Sequence, residues 1–369
     1  MQNLRLMLQN VPLLTISSLG GLLLYTTGIS IAWLLGSLFT ASIISLILKP
    51  GGKTSRTNKG IHPYWRQIGQ AILGIQLGQN LHFSSLNTFE DHFILISLML
   101  MMSIAVALLS GMMLWHFSKA SMITCLFGTT PGGMSAMPAI AEEAGANALV
   151  VSLIQTIRIL FVIGTVPFIA GKVNNQLHIN LPDSNHSNLE YFPLLWTILL
   201  IIGSIIGAEM GKRLKLPAPW LVGSMIGASI SQLIITYFYK NDAFPFWPHI
   251  IVILAQVLIG ASIGFQVKKE MFRGLGRIIY GGLATSFLMV TVMAIFSIWI
   301  SKITKIPLVT CLLAFAPGGV AEMASTSMAL NADSTFVVTV QSLRLIAVLI
   351  LMPAMLKFIS LQAPIKTHQ

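Results

Sequence analysis

The chain has 369 residues, 55% of them hydrophobic and only 9% charged, with a formal net charge of +11 and a mean hydropathy of +0.81. Soluble globular domains carry roughly 25% charged residues, so the composition excludes an ordinary soluble protein and predicts a polytopic protein embedded in a lipid bilayer. The lysines and arginines lie almost wholly in short connectors between apolar runs, which indicates membrane topology and not a nucleic-acid partner.

Twelve apolar segments follow one another along the chain, each close to the roughly 20 residues that cross a bilayer. The first six lie at 11–27, 29–48, 62–80, 92–117, 119–143 and 147–171, and the last six at 192–212, 216–239, 249–267, 278–301, 307–330 and 333–359. Polar, Asn-rich residues separate the two groups. We therefore predict an all-α membrane protein with a first transmembrane repeat at 1–171, a polar linker at 172–191 and a second repeat at 192–369.

The two groups of segments match each other at an offset of 186 residues. TCLFGTTPGGMSAM at 124–137 lies over TCLLAFAPGGVAEM at 310–323, and 13 of the 44 pairs from Thr124 to Pro167 are identical. QAILGIQLG at 70–78 lies over QVLIGASIG at 256–264, and WLLGS at 33–37 matches WLVGS at 220–224 with a shift of one residue. Because polar and special residues coincide as well as aliphatic ones, the match indicates a duplication.

The connector charges predict that the two repeats have opposite orientations. The second connector is basic in the first repeat, whereas the first and third connectors are basic in the second repeat. Basic connectors belong on the cytoplasmic side, so equivalent loops face opposite sides. Five crossings per repeat give this result if each fifth segment is a hairpin that returns to its own side. A non-spanning first helix would serve as well, and a parallel arrangement of twelve spans puts fewer Lys and Arg inside.

The fifth segment of each repeat is interrupted by a Pro-Gly-Gly triplet. Pro lacks an N–H and Gly favours non-helical backbone, so we expect the helix to break and leave bare backbone groups at membrane depth. Plain kinks in packed helices are the alternative, but two symmetry-related breaks favour a substrate site at the repeat interface. The predicted site residues from these segments are Pro131, Gly132, Gly133, Ser135, Pro317, Gly318 and Gly319.

The sixth segment of each repeat carries a Gln and an Arg three residues apart, on one face of a helix. They are Gln155 and Arg158 in the first repeat and Gln341 and Arg344 in the second. An arginine near mid-bilayer costs at least about 2.5 to 3.5 kcal/mol on insertion scales unless it is paired or hydrated. Each Arg either neutralises broken-helix carbonyls or a nearby acid, or it binds an anionic substrate beside the breaks. We favour the substrate.

Three acids are candidates for ion coupling. Glu322 stands where the first repeat has Ala136, so it is an asymmetry at an otherwise matched position. It could carry a coupling proton, help to bind Na⁺ or serve as the fixed counterion of Arg344. Asp333 is expected first of all to cap the following helix, and Glu142 lies at the far end of its half-helix.

The sequence contains no motif that indicates an enzyme. The eight histidines are scattered without the i, i+3 or i+4 spacing of a helical metal site, and there is no paired Cys motif. Phosphate-binding glycine loops and nucleophile elbows are also absent. We therefore expect no enzyme activity, no cofactor and no metal.

The paired TPGGM and APGGV blocks with their downstream Gln and Arg, together with the WL-x-GS elements, resemble the AbrB-duplication membrane protein family over essentially the whole chain. Its members are often labelled as an ammonia monooxygenase or its regulator. The monooxygenase label implies copper or iron ligands that this sequence does not supply, and nothing in it looks like the small DNA-binding regulator of the same name. The resemblance also implies the plan of cation antiporters, bile-acid symporters and auxin carriers, in which inverted repeats have broken helices that cross at a central site.

These features predict an ion-coupled secondary transporter that moves a small anion or organic acid across the bacterial inner membrane by alternating access. H⁺ or Na⁺ would drive transport, and a homodimer is left open. The alternative is a membrane-bound regulator of gene expression. Its action would be indirect, because the connectors are too short to form a soluble output domain.

Overall fold

The computed structural model describes residues 10–28, 31–47, 61–79, 93–132, 136–173, 192–216, 218–239, 247–269 and 275–362. Throughout this part of the chain the regular structure is helical, and no strand occurs in it. The predicted all-α fold is therefore confirmed. The predicted linker at 172–191 falls almost wholly outside the described residues.

Fourteen α-helices lie in the described ranges, seven in each half of the sequence. In the first half they are α1 Val11–Tyr25, α2 Ala32–Ile47, α3 Pro63–Gln79, α4 Phe93–Phe117, α5 Met122–Thr129, α6 Ala136–Glu143 and α7 Ala148–Val173. In the second half they are α8 Phe192–Arg213, α9 Pro219–Tyr239, α10 His249–Gly264, α11 Gly276–Thr304, α12 Leu308–Phe315, α13 Val320–Ala329 and α14 Ser334–Gln362. Each predicted segment contains one helix, except the two with a Pro-Gly-Gly triplet, which contain two.

Four helices are long and apolar enough to cross a membrane: α4, α7, α11 and the part Ser334–Leu351 of α14. The 25 residues of α4 extend about 37 Å at 1.5 Å per residue, more than the roughly 30 Å of a hydrocarbon core. Shorter apolar helices accompany them, namely α1, α2, α10 and the part Pro219–Ile234 of α9. Large aliphatic side chains such as Ile94 and Ile350 stay exposed, as expected for surfaces that face lipid. The fold is that of a polytopic helical membrane protein.

Local side-chain chemistry explains several helix boundaries. The side chains of Ser121, Asn147 and Asp333 accept backbone N–H groups at the starts of α5, α7 and α14 respectively. These N-caps satisfy donors that have no partner within the helix. At the other end, Gly145 follows α6 with φ 78° and Asn331 follows α13 with φ 53°. Gly and Asn are the residues that tolerate this left-handed cap, so α6 and α13 end in the same way.

The chain divides into two compact units, and each unit draws on both halves of the sequence. The first unit consists of Met1–Asp91, Pro167–Lys269 and Val320–Val338. The second unit consists of His92–Val166, Glu270–Gly319 and Thr339–Gln369. These units are defined by packing, whereas the predicted domains 1–171 and 192–369 are defined by sequence similarity, so the domain boundaries stay a prediction.

In the first unit, the third helix of each half packs against the second helix of the other half. Gly74 of α3 lies against α9, where an added Cβ would come within 2.6 Å of the Leu221 carbonyl oxygen. Gly260 of α10 lies against α2, where an added Cβ would come within 2.4 Å of the Leu34 carbonyl oxygen. Small residues allow this close approach of helix backbones, which is a common means of packing in membranes. The two contacts are reciprocal and involve equivalent positions of the two halves.

In the second unit, α5 and α6 double back as a hairpin. The backbone N–H of Asn147, which follows α6, donates to Thr124 Oγ1 in the first turn of α5 at 3.1 Å. A helix that ran straight through both segments would separate these residues by about 34 Å. Phe127 of α5 also belongs to the same buried cluster as Met137 and Ala141 of α6. The segment 122–143 therefore enters and leaves on the same side of its unit.

Candidate functional site

The candidate site begins at the two chain breaks, which have the same local geometry. Thr130 after α5 and Ala316 after α12 both have extended backbone, with ψ 129° and 139°. The N–H of Gly132 donates to the Thr130 carbonyl at 3.0 Å, and the N–H of Gly318 donates to the Ala316 carbonyl at 2.8 Å. Each break is thus a tight turn centred on proline. It leaves the last carbonyl groups of the preceding short helix without helical donors.

In the second repeat, Gln341 and Arg344 of α14 bind these carbonyl groups. Gln341 Nε2 donates to the carbonyl oxygens of Leu313 and Ala316, at 2.8 and 3.1 Å. Arg344 Nη1 donates to Ala316 O at 2.6 Å, and its Nη2 donates to Gly318 O at 2.9 Å and to Gln341 Oε1. The guanidinium of Arg344 therefore holds the end of α12 and the Pro-Gly-Gly turn in one network.

In the first repeat, Gln155 and Arg158 of α7 reach the end of α5 with fewer contacts. Gln155 Nε2 donates to Phe127 O at 3.2 Å, and Arg158 Nη1 donates to Thr129 O at 2.7 Å. Gln155 Oε1 and Arg158 Nε are buried without a hydrogen-bond partner in the described part of the chain. Arg344 Nε is likewise without a partner in the described residues. The two pairs therefore differ in the Gln Oε1, which accepts a hydrogen bond only in the second repeat, and in the number of bonds that the guanidinium makes.

The side chains next to the breaks also differ between the repeats. The first repeat has Thr129 and Thr130, whereas the second has Phe315 and Ala316. Thr129 Oγ1 donates to the Ala107 carbonyl of α4 at 2.9 Å, and Thr130 Oγ1 donates to a carbonyl of α5 at 2.6 Å. The hydroxyl groups provide local bonds for the first break that Phe and Ala cannot make.

The two arginines concentrate positive charge in the interior of the second unit. Arg158 is 3% exposed and Arg344 is 2% exposed, and both belong to the second unit. Neither forms a salt bridge with any residue that the structure describes. The described carboxylates of this unit are Glu142 and Glu143, and both are exposed. Carbonyl dipoles are thus the partners of two buried charges.

The remaining predicted substrate residues lie at the breaks themselves. Pro131, Gly132, Pro317 and Gly318 are buried, and Gly319 is half-buried. Gly133 and Ser135, which were also predicted, lie outside the described residues. In the second unit the structure therefore brings each Gln-Arg pair to the carbonyl end of the short helix in its own repeat, the first pair to α5 and the second to α12.

Glu322 lies in the first unit and forms an ion pair that the sequence did not predict. Its Oε1 accepts from Arg66 Nη2 of α3 at 3.1 Å, while its Oε2 is buried without a partner in the described part of the chain. Glu322 is fully buried, and the side chain of Arg66 is 26% exposed. A signal was present: the positions equivalent to Arg66 and Glu322 are Val252 and Ala136, so both partners depart from the repeat together.

The other two candidates for ion coupling have different surroundings. Asp333 Oδ1 accepts the backbone N–H of Phe336 at 2.9 Å, which is the capping role that the sequence predicts for it. Glu142 lies in the last turn of α6 and is exposed. No group of three or more His, Cys, Asp or Glu side chains suited to a metal ion occurs among the described residues.

Comparison with known proteins places the chain in a family. The model of the family described as "Transition state regulatory protein AbrB" matches residues 33–360. The chain belongs to the AbrB family. It is similar to the Bacillus subtilis (strain 168) protein named "Uncharacterized protein YhjN", with 41% identity over 353 residues that cover 94% of this chain and 92% of the relative. It is also similar to the Escherichia coli (strain K12) protein named "Putative regulator AbrB", with 28% identity over 302 residues that cover 80% and 82%. The predicted family is therefore confirmed.

Proposed function

We propose that this AbrB-family protein is an ion-coupled secondary transporter that moves a small anionic solute across the bacterial inner membrane. The observation that carries the proposal is the pair of buried arginines, Arg158 and Arg344, which have no carboxylate partner among the described residues. Buried charges are normally paired, and intramembrane ionisable residues mark substrate paths. A negatively charged solute would supply the missing partner.

The hairpin of α5 and α6 supports an inverted arrangement of the two repeats. If the short helices of each repeat return to their own side, the crossing helices of the first repeat are α1, α2, α3, α4 and α7. An odd number of crossings places the next repeat upside down. Inverted repeats with interrupted helices at a central site are a common plan of secondary transporters and allow alternating access.

The Arg66 and Glu322 pair is the proposed site of ion coupling. Protonation of Glu322 would remove the negative charge that holds Arg66 and so release α3 from α13. A proton fits this position better than Na⁺, because the guanidinium Nη2 lies 3.1 Å from Oε1 and would repel a metal cation. Asp333 is committed to its capping bond and Glu142 is exposed, so Glu322 is the strongest of the three predicted coupling residues.

A ligand screen on the purified protein tests the proposal. The thermal unfolding temperature would be measured with small carboxylates, inorganic anions and small cations, at two pH values and with or without Na⁺. We expect anions to raise the unfolding temperature of the unmodified protein and not that of Arg158→Gln. Stabilisation by cations alone, unchanged in Arg158→Gln, would reject an anionic solute.

A regulator of gene expression is the second candidate, and the name of the E. coli relative, "Putative regulator AbrB", favours it. Here regulation would follow from a changed solute concentration. To distinguish regulation through transport from direct regulation, a deletion strain would be complemented with the unmodified gene or with Arg158→Gln, and transcript levels would be compared. If Arg158→Gln failed to transport the solute but restored normal expression, regulation would be independent of transport.

A further inference from the structure

We infer that the solute carries a hydrogen-bond donor as well as a negative charge, and that Gln155 recognises this donor. The inference rests on the proposed function, because it concerns the solute of the same site. It starts from the difference between the two Gln-Arg pairs. In the second pair, Gln341 Oε1 accepts from Arg344 Nη2, so acceptor and donor satisfy each other. In the first pair, Gln155 Oε1 is fully buried and has no partner in the described part of the chain.

The orientation of the Gln155 amide is fixed by its other end. Its Nε2 donates to the Phe127 carbonyl oxygen at 3.2 Å. If the amide were reversed, two oxygens would face each other, so the unpartnered atom is the amide oxygen. An amide oxygen can only accept a hydrogen bond. A ligand that satisfies it must therefore bring an O–H or N–H group.

Arg158 supplies the complementary requirement. Among the described residues it makes one hydrogen bond, to Thr129 O, where Arg344 makes three, and the Nε atoms of both arginines are buried without a partner there. Gln155 and Arg158 lie on one face of α7, and both reach the last turn of α5. A ligand between them would place its anionic group on Arg158 and its donor on Gln155. In the second repeat Gln341 and Arg344 bind each other directly, and Arg344 also binds the carbonyl groups of the chain break.

The ligand class that fits is a small anion with its own donor. A 2-hydroxy carboxylate is the simplest organic case, and hydrogen phosphate is the inorganic case with the same chemistry. Acetate and sulfate have the charge but no donor. A site built to bond a hydroxyl group rejects the analogue that lacks it, because the protein acceptor is then left buried and unpaired.

Equilibrium binding to the purified full-length protein tests the inference at pH 7. The ligands are glycolate, methoxyacetate and acetate, with phosphate and sulfate as the inorganic arm. Methoxyacetate retains the carboxylate of glycolate and an oxygen atom on the adjacent carbon, but that oxygen is an ether and has no O–H to donate. We expect glycolate to bind at least about tenfold more tightly than methoxyacetate and acetate. If the natural solute is inorganic, phosphate instead exceeds sulfate by a similar factor. The inference is overturned if glycolate binds no more tightly than methoxyacetate and acetate, and phosphate binds no more tightly than sulfate.

Variants assign the preference to one residue. Gln155→Met removes the acceptor at nearly unchanged length and should bring the affinity ratio close to one, whereas Gln256→Met, at a buried Gln of α10 in the first unit, should leave the ratio intact. A ratio that persists in Gln155→Met overturns the inference. If Gln155→Met does not fold, the ligand comparison on the unmodified protein still decides. Arg158-dependent binding of anions without a donor preference would contradict only this inference, whereas anion binding unaffected by Arg158→Gln would contradict the proposed function itself.

Discussion

Arg66 Nη2 and Glu322 Oε1 lie 3.1 Å apart and join α3 to α13 within the first unit. The pair has no counterpart elsewhere in the repeats. The second repeat has Val252 at the position equivalent to Arg66, and the first repeat has Ala136 at the position equivalent to Glu322. The ion pair therefore breaks the symmetry between the two halves of the sequence.

Removing one partner of the pair should destabilise the protein more than removing both. Glu322→Ala leaves the Arg66 guanidinium without its counterion, and we expect a loss of about 3 kcal/mol. The double variant Arg66→Val with Glu322→Ala places at both positions the residue types found at their equivalents, Val252 and Ala136. It should recover most of that loss. Unfolding followed in detergent provides the comparison. A double variant as unstable as the sum of the single variants would show that the two residues are not coupled.

The two arginines should respond differently to the same substitution. Arg344→Gln loses three hydrogen bonds around the second break, so we expect a loss of about 2 to 4 kcal/mol in the free energy of unfolding. Arg158→Gln loses one and should cost about 1 to 2 kcal/mol. Unfolding curves of the two variants measure the difference. Equal losses in the free energy of unfolding would mean that the additional hydrogen bonds of Arg344 do not stabilise the protein.

The hairpin of α5 and α6 can be tested from outside the membrane. Lys119 and Glu143 flank the hairpin and are both exposed. Single cysteines at these positions, with Cys125 and Cys311 changed to Ala, should react with a membrane-impermeant maleimide added to the same side. Labelling of the two positions from opposite sides would mean that the segment crosses the membrane.

Close packing of α10 against α2 predicts the effect of a single methyl group. In Gly260→Ala the new Cβ meets Ser37 Oγ at 2.3 Å and Leu34 O at 2.4 Å, so we expect a loss of about 1 to 3 kcal/mol. Gly276→Ala is the matched control, because a Cβ there meets nothing within 4 Å. Thermal unfolding of both variants measures the contrast. A Gly260→Ala variant as stable as the control would contradict the packing.

Local signals predicted the helices and their breaks, because apolar length and the residues Pro131 and Pro317 act on the chain nearby. The sequence could not assign Arg66, since its role depends on where α3 lies relative to α13. It also could not distinguish the role of Arg158 from that of Arg344. The carbonyl and hydroxyl groups around each arginine differ, and only tertiary structure shows which of them are within reach.

Anion uptake into proteoliposomes tests the central claim most directly. The unmodified protein, Arg158→Gln and Lys302→Gln would be reconstituted at equal density, and uptake of labelled small anions measured under an imposed proton gradient. Lys302 is an exposed base at the end of α11 and serves as the matched loss of one positive charge. We predict uptake by the unmodified protein and by Lys302→Gln, and at least about a tenfold reduction in Arg158→Gln, equivalent to 1.4 kcal/mol. Equal anion uptake by all three proteins would contradict a transport site at Arg158.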